Sequence, residues 1–82
     1  MKILAEVMTP GNGKTYEIML DDKLPVRAIK ESIIEEIEAF ENGGIAFGKD
    51  ATLFSGTDKC LLPDNCNLRK AGFRSGQMLI LV

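Results

Sequence analysis

The most specific chemical signal in this chain is a run of three residues, Gly13, Lys14 and Thr15, which reads like the end of a phosphate-binding loop. In that motif a glycine-rich turn cradles phosphates with backbone N–H groups and passes into a helix whose N-terminus completes the anion site. The motif also needs a glycine five positions ahead of Gly13, and Met8 stands there. Residues 15–20 alternate polar and apolar, so a strand follows where a helix is required. Nucleotide chemistry is not expected at this loop. The other candidates are thinner. The sequence has no histidine, the side chain best suited to general-base work near neutrality. No serine or cysteine has a recognisable base partner, and no carboxylate pair has a spacing that commits it to one site. Cys60 and Cys66 are not a C-x-x-C pair and, without histidine, make no structural zinc site, so packing or loop filling is their expected role. Neither catalysis, nor a metal, nor a cofactor is expected.

What remains is binding, and the composition narrows the partner. The 82 residues suffice for one domain (residues 1–82) with a small core. A formal charge of −2 gives no electrostatic footprint for nucleic acid or an anionic membrane. Residues 1–6 are not a signal peptide, because Glu6 interrupts the apolar run, and no run is long enough to span a bilayer. Two cysteines without an export signal are expected as reduced thiols in a cytoplasm.

The elements that would carry a binding surface are legible in the pattern. Residues 2–8 alternate as a strand, turn residues 9–14 follow, and residues 15–20 alternate again, with Asn12-Gly13 suited to positive φ between them. This is a hairpin. Pro25 suits a first helical position, and Val26, Ile29, Ile33, Ile37 and Phe40 form one apolar stripe on a helix of about four turns. Asn42, Gly43 and Gly44 end that helix. Residues 51–55 read as a short strand and residues 60–62 as its brief partner. Asn67 is placed to cap a one-turn helix from Leu68 to Gly72, and Phe73 is expected in the core. Residues 78–82 are an unbroken apolar run, the mark of a central strand with no tail beyond it. The fold class is α+β: a mixed sheet of four to five strands, with the first and last paired in parallel at its centre and one helix across one face.

The helix carries an unusual charge order. Glu35, Glu36, Glu38 and Glu41 crowd its C-terminal half, where the macrodipole favours cations and each misplaced charge costs about 0.3–1 kcal/mol at low salt. Glu31, Glu35 and Glu38 form a candidate acidic face for a basic partner, although a solvated, solubilising surface explains them as well.

The element order and residues resemble ubiquitin. Met1-Lys2-Ile3, Met8-Thr9 and Lys14-Thr15 resemble its first hairpin with three residues added to the turn. Leu62, Pro63 and Asp64, then Leu68, Phe73, Leu79, Leu81 and Val82, follow its last third without a gap. Three features narrow the resemblance to the small bacterial ubiquitin-like proteins of the YukD/EsaB type: Leu24-Pro25-Val26 opening the helix, Leu68 followed by Ala71-Gly72-Phe73, and Ser75-Gly76 followed by Leu79 and Leu81. Such proteins are associated with type VII (WXG100) secretion machinery and are thought to bind partners without catalysis or conjugation. The resemblance therefore implies a ubiquitin-like β-grasp adaptor or regulator that is cytoplasmic or peripheral to a membrane secretion complex. Two alternatives belong to other classes. A protein modifier or sulfur carrier would need a Gly-Gly tail, which this sequence lacks. A TGS-like RNA-binding β-grasp module would need a charge balance that this sequence does not have.

On a central last strand, Leu79 and Leu81 would face the helix, leaving Met78, Ile80 and Val82 on the open face. Leu4, Met19 and Leu53 are expected beside them, completing an apolar protein-binding patch. Ubiquitin uses the corresponding face, where Leu53 and Ile80 match patch positions and Ile80 replaces a histidine. A homodimer contact through this face is the other way to cover it.

Overall fold

A computed structural model describes residues 1–82 apart from Lys49 and Asp58. The elements are β1 (Lys2–Thr9), β2 (Lys14–Asp21), α1 (Val26–Phe40), β3 (Leu53–Ser55) and β4 (Met78–Leu81). They form a four-stranded sheet in the order β2-β1-β4-β3. β1 and β4 run parallel at the centre, and both outer pairs are antiparallel, as the apolar run at residues 78–82 predicts.

The hairpin turns over residues 10–13. Asn12 and Gly13 both donate their N–H groups to the Thr9 carbonyl, at 3.2 and 2.9 Å. Only Gly13 is left-handed, with φ 68°. Asn12 contributes its side chain instead: Oδ1 accepts from the Thr9 hydroxyl and, at 3.1 Å, from the Lys14 N–H. An asparagine side chain bonding backbone in this way stabilises a turn without itself adopting positive φ.

The helix begins without a side-chain cap, because another part of the chain supplies the acceptors. Pro25 is extended (φ −63°, ψ 148°) and precedes the first helical residue instead of occupying it. The Val26 N–H donates to the Cys66 carbonyl at 2.7 Å, and the Arg27 N–H to the Asp64 carbonyl at 3.1 Å. Ala28 and Ile29 donate to the Pro25 carbonyl at 2.9 and 3.1 Å. Pro25 has no N–H and the Ile29 bond is the first regular helical one, so the orphaned groups are those of Val26, Arg27 and Ala28, and the 64–66 turn satisfies the first two. Lys30 adds an ion pair to Asp64 at 3.2 Å.

At the other end Asn42 and Gly43 are left-handed (φ 52° and 83°). Their N–H groups bond the Ala39 and Glu38 carbonyls at 3.2 and 3.3 Å. This is the paired-bond helix stop in which a residue tolerant of positive φ follows the cap. Here asparagine takes the first left-handed position and glycine the second.

Val26, Ile29, Ile33 and Ile37 are buried against Ile3, Ala5, Val7, Ile18, Leu20, Leu79 and Leu81. Leu68 and Phe73 close the core from the long connection, with Ile45 and Phe47 packed at its side. Phe40 departs from expectation: it shares the stripe's angular position, yet is 76% exposed. The ring lies edge-on to Tyr16 at the helix end, with centroids 5.9 Å apart. The expected partner strand at residues 60–62 is reduced to one bridge between Phe54 and Leu61. Residues 67–72 form turns in place of a helix, with the Asn67 Oδ1 accepting the Lys70 N–H at 2.8 Å. The chain reverses again at once, as the Phe73 N–H bonds the Leu68 carbonyl at 2.9 Å.

Ile33 has no exposed surface at the middle of the helix–sheet contact. Ile33→Ala should therefore lower unfolding free energy by about 2–5 kcal/mol, read from the urea midpoint, whereas Phe40→Ala should shift it by less than about 1 kcal/mol.

Candidate functional site

Opposite the helix, no second layer covers the sheet among the described residues, and the register fixes which side chains share that face. Ile80 lies beside Met8 on one strand and Phe54 on the other, and Met8 lies beside Thr15. A row Thr15–Met8–Ile80–Phe54 therefore crosses all four strands. The adjoining row is Glu17–Glu6–Met78, and the next is Met19–Leu4. Beyond Ile80, Val82 exchanges two backbone hydrogen bonds with Thr52, both 2.9 Å, while its side chain is 63% exposed. Met8, Phe54, Met78 and Ile80 are each partly exposed. Together they form a half-buried apolar surface with Val82 at its edge.

The patch read from the sequence needs two corrections. Leu53 is not on this face: it is 1% exposed and lies in the core. It pairs directly with Leu81, whose side chain is buried, and residues opposite one another in an antiparallel pair share a face. Phe54 takes the outward position instead. Leu4 and Met19 do share the open face, but the Glu6–Glu17 pair stands between them and Ile80. Leu4 lies beside the turn preceding β4: its N–H donates to the Ser75 hydroxyl at 3.0 Å, and its carbonyl accepts the Gly76 N–H at 2.8 Å. Met8 and Phe54 are therefore members of this open face that sequence reasoning missed. The signal for Met8 was its place in phase with Leu4 and Glu6. A strand as short as Leu53–Ser55, apolar at consecutive positions, carries no signal for Phe54.

Of the candidate acidic face, Glu31 and Glu35 are exposed. Glu38 is partly buried, and its Oε2 accepts the Phe47 N–H at 3.1 Å, which secures the 44–48 loop against the helix. It belongs to the scaffold rather than to a partner surface. Glu41, the most C-terminal of the crowded glutamates, is also explained by internal contacts. Both its oxygens accept from the Lys14 ammonium at 3.2 Å, and Oε2 accepts the Tyr16 hydroxyl at 2.5 Å. The Asn12 Nδ2 donates to that same hydroxyl at 3.0 Å. Lys14, the lysine of the phosphate-loop-like motif, is thus occupied in tying the hairpin to the helix end, and a strand follows it.

No family model matches the chain, and no curated protein matches it in sequence. Solved structures do match. The EccD5 ubiquitin-like domain from Mycobacterium xenopi aligns with a TM-score of 0.81 at 15% identity, covering 100% of this chain and 93% of that one. A chain of the MycP5-free ESX-5 inner membrane complex aligns with a TM-score of 0.83 at 17% identity, over 99% of this chain but 20% of that one. The ubiquitin-like domain of Plasmodium falciparum Dsk2 aligns with a TM-score of 0.77 at 20% identity, covering 100% and 97%. The fold is therefore a ubiquitin-like β-grasp. Among the described residues, no helix is long and apolar enough to cross a membrane.

The Tyr16 hydroxyl, and after it the Lys14 ammonium, hold the Glu41 carboxyl below its ordinary pKa. Because the folded value lies below the unfolded one, this stabilisation is complete above the ordinary glutamate range of about 4.3 and is lost as pH falls through the folded value. Glu41→Gln should therefore reduce stability slightly at pH 7 and flatten the decline below about pH 4.3, measured by urea unfolding across pH.

Proposed function

We propose that this protein is a non-catalytic, ubiquitin-like binding module that docks another protein through its open sheet face, and that the partner is a component of a type VII secretion apparatus. The observation that carries the docking role is the row Met8–Ile80–Phe54, bordered by Met78 and Val82, which faces away from the helix with no layer over it among the described residues. Partly exposed apolar side chains gathered on a rigid sheet bury at low entropic cost when a complementary surface arrives. Glu6 and Glu17 sit directly opposite each other at the margin of this surface, and such like-charged neighbours are relieved by a cation on the partner. The type VII assignment is supported by the likeness to the EccD5 domain and to a chain of the ESX-5 inner membrane complex, together with the YukD/EsaB-like sequence features. A non-catalytic role fits a sequence with no histidine. Modifier chemistry would require a Gly-Gly tail beyond Val82, and the intact mass of the natural protein, with any adduct, tests that alternative.

The direct test is Ile80→Asp, which places a charge at the centre of the row. The variant should keep the wild-type unfolding midpoint but lose at least about tenfold in affinity for type VII components encoded beside its gene, measured with purified proteins. Undiminished affinity would remove the sheet face from the interaction. A neighbourhood without WXG100 proteins or an FtsK-type ATPase would remove the secretion assignment while leaving the docking surface standing.

A further inference from the structure

We propose that Asn12 is a deamidation site that the folded hairpin holds in check, and that its conversion to aspartate or isoaspartate when the turn opens loosens the hairpin from the end of α1. Asn12 and Gly13 are both exposed at the tip of the β1–β2 turn. An asparagine followed by glycine is the pair in which the backbone most readily attacks the side chain, because glycine has no Cβ to shield its nitrogen. In that reaction the Gly13 nitrogen bonds the Asn12 Cγ, its proton passes to the side-chain nitrogen, and that nitrogen leaves as ammonia. Water then opens the resulting succinimide ring. Attack at the former side-chain carbonyl leaves aspartate, and attack at the backbone carbonyl leaves isoaspartate, whose main chain runs through the old side chain. Water is the only co-reactant, and nothing is oxidised or reduced.

The fold restrains each group that must move. The Gly13 N–H, whose proton must be lost, donates to the Thr9 carbonyl at 2.9 Å, which also fixes the plane of that amide. The Asn12 carboxamide is held at both ends. Its Oδ1 accepts from the Thr9 hydroxyl and the Lys14 N–H, and its Nδ2 donates to the Tyr16 hydroxyl at 3.0 Å. Turning Cγ onto the Gly13 nitrogen breaks these bonds. No atom lies within 4 Å of the place a Cβ on Gly13 would take, so hydrogen bonds rather than bulk protect the site. Thr9, which supplies both a carbonyl and a hydroxyl to the restraint, is 1% exposed and anchors it in the core. The product fits less well. An aspartate at position 12 keeps one oxygen where Oδ1 accepts, but its other oxygen replaces the Nδ2 donor against the Tyr16 hydroxyl. That hydroxyl already gives its single proton to the Glu41 Oε2 at 2.5 Å and has none for a second carboxylate. Two carboxylates would then share the tie formed by Tyr16 and Lys14. Isoaspartate further lengthens the turn by a methylene and displaces Gly13 from its bond to Thr9.

The experiment incubates the full chain in mildly alkaline buffer, with and without denaturing urea, and follows conversion by intact mass and by peptide mapping that separates aspartate from isoaspartate. The folded protein should convert at least about tenfold more slowly than the unfolded chain, since reaction waits on local opening. Tyr16→Phe removes the acceptor of the Asn12 Nδ2 and should speed conversion of the folded protein at least about threefold, within the worth of one hydrogen bond. Glu41→Gln removes the other partner of Tyr16 but leaves the bonds of Asn12 in place, so its rate should stay near wild type. Urea midpoints measured alongside establish that both variants are folded during the incubation. Asn12→Asp, the product made directly, should lower the midpoint, and should lower it less when Glu41 is already glutamine. Equal rates for folded and unfolded chain, or conversion in Tyr16→Phe no faster than in Glu41→Gln, would overturn the protection. A midpoint unmoved by Asn12→Asp, or moved equally in both backgrounds, would overturn the loosening through Tyr16 and Glu41.

Discussion

The parallel pairing of β1 with β4 is the constraint from which the rest of this structure follows. Glu6, Val7 and Met8 align with Met78, Leu79 and Ile80, bringing the opening and closing segments of the chain side by side. Closing so long a loop carries an entropic cost that only non-local burial can offset. Val7 and Leu79 supply that burial from adjacent positions, and neither retains exposed surface. With β4 held there, β3 gains its partner and α1 its floor. The alternation of β4 then assigns Leu79 and Leu81 to the core and Ile80 to the open face.

Much of the connection between α1 and β4 serves to hold the helix in place. The carbonyls of Asp64 and Cys66 receive the first two helical N–H groups, and Glu38 and Glu41 bind the 44–48 loop and the hairpin at the other end. Glutamates near a helix C-terminus oppose the macrodipole. Here two of them are offset by specific donors: the Phe47 N–H for Glu38, and the Tyr16 hydroxyl with the Lys14 ammonium for Glu41. The charge order that is unfavourable for an isolated helix is thus a consequence of how this helix is docked. Only part of the acidic surface then remains available to a partner, with Glu31, Glu35 and Glu36 exposed.

The likeness to ubiquitin-like domains at 15–20% identity is a likeness of fold, and folds of this kind serve unrelated partners. Function is carried by what the scaffold displays. This one displays a half-buried apolar row across the middle of its sheet. A flat apolar row of this kind suits a folded surface.

The sequence by itself determined the hairpin, the long helix, the last strand and the outline of the core. Alternation in the hairpin, the isoleucine stripe of the helix and the apolar run at residues 78–82 are local periodicities, and burying them leaves few arrangements. Leu79 and Leu81 were legible as core for that reason, and Phe73 was expected there as well. Register, by contrast, depends on partners distant in the chain, and only the tertiary structure decided it. Leu53 and Phe54 are both apolar, so nothing local states which faces the helix; pairing Leu53 with Leu81 settles it. Phe40 shows the same limit, because periodicity gives the angle of a side chain around a helix but not whether the sheet extends far enough to cover it. The roles of Glu38, Glu41 and Lys14 were likewise hidden, since each depends on a donor or acceptor brought near only by folding.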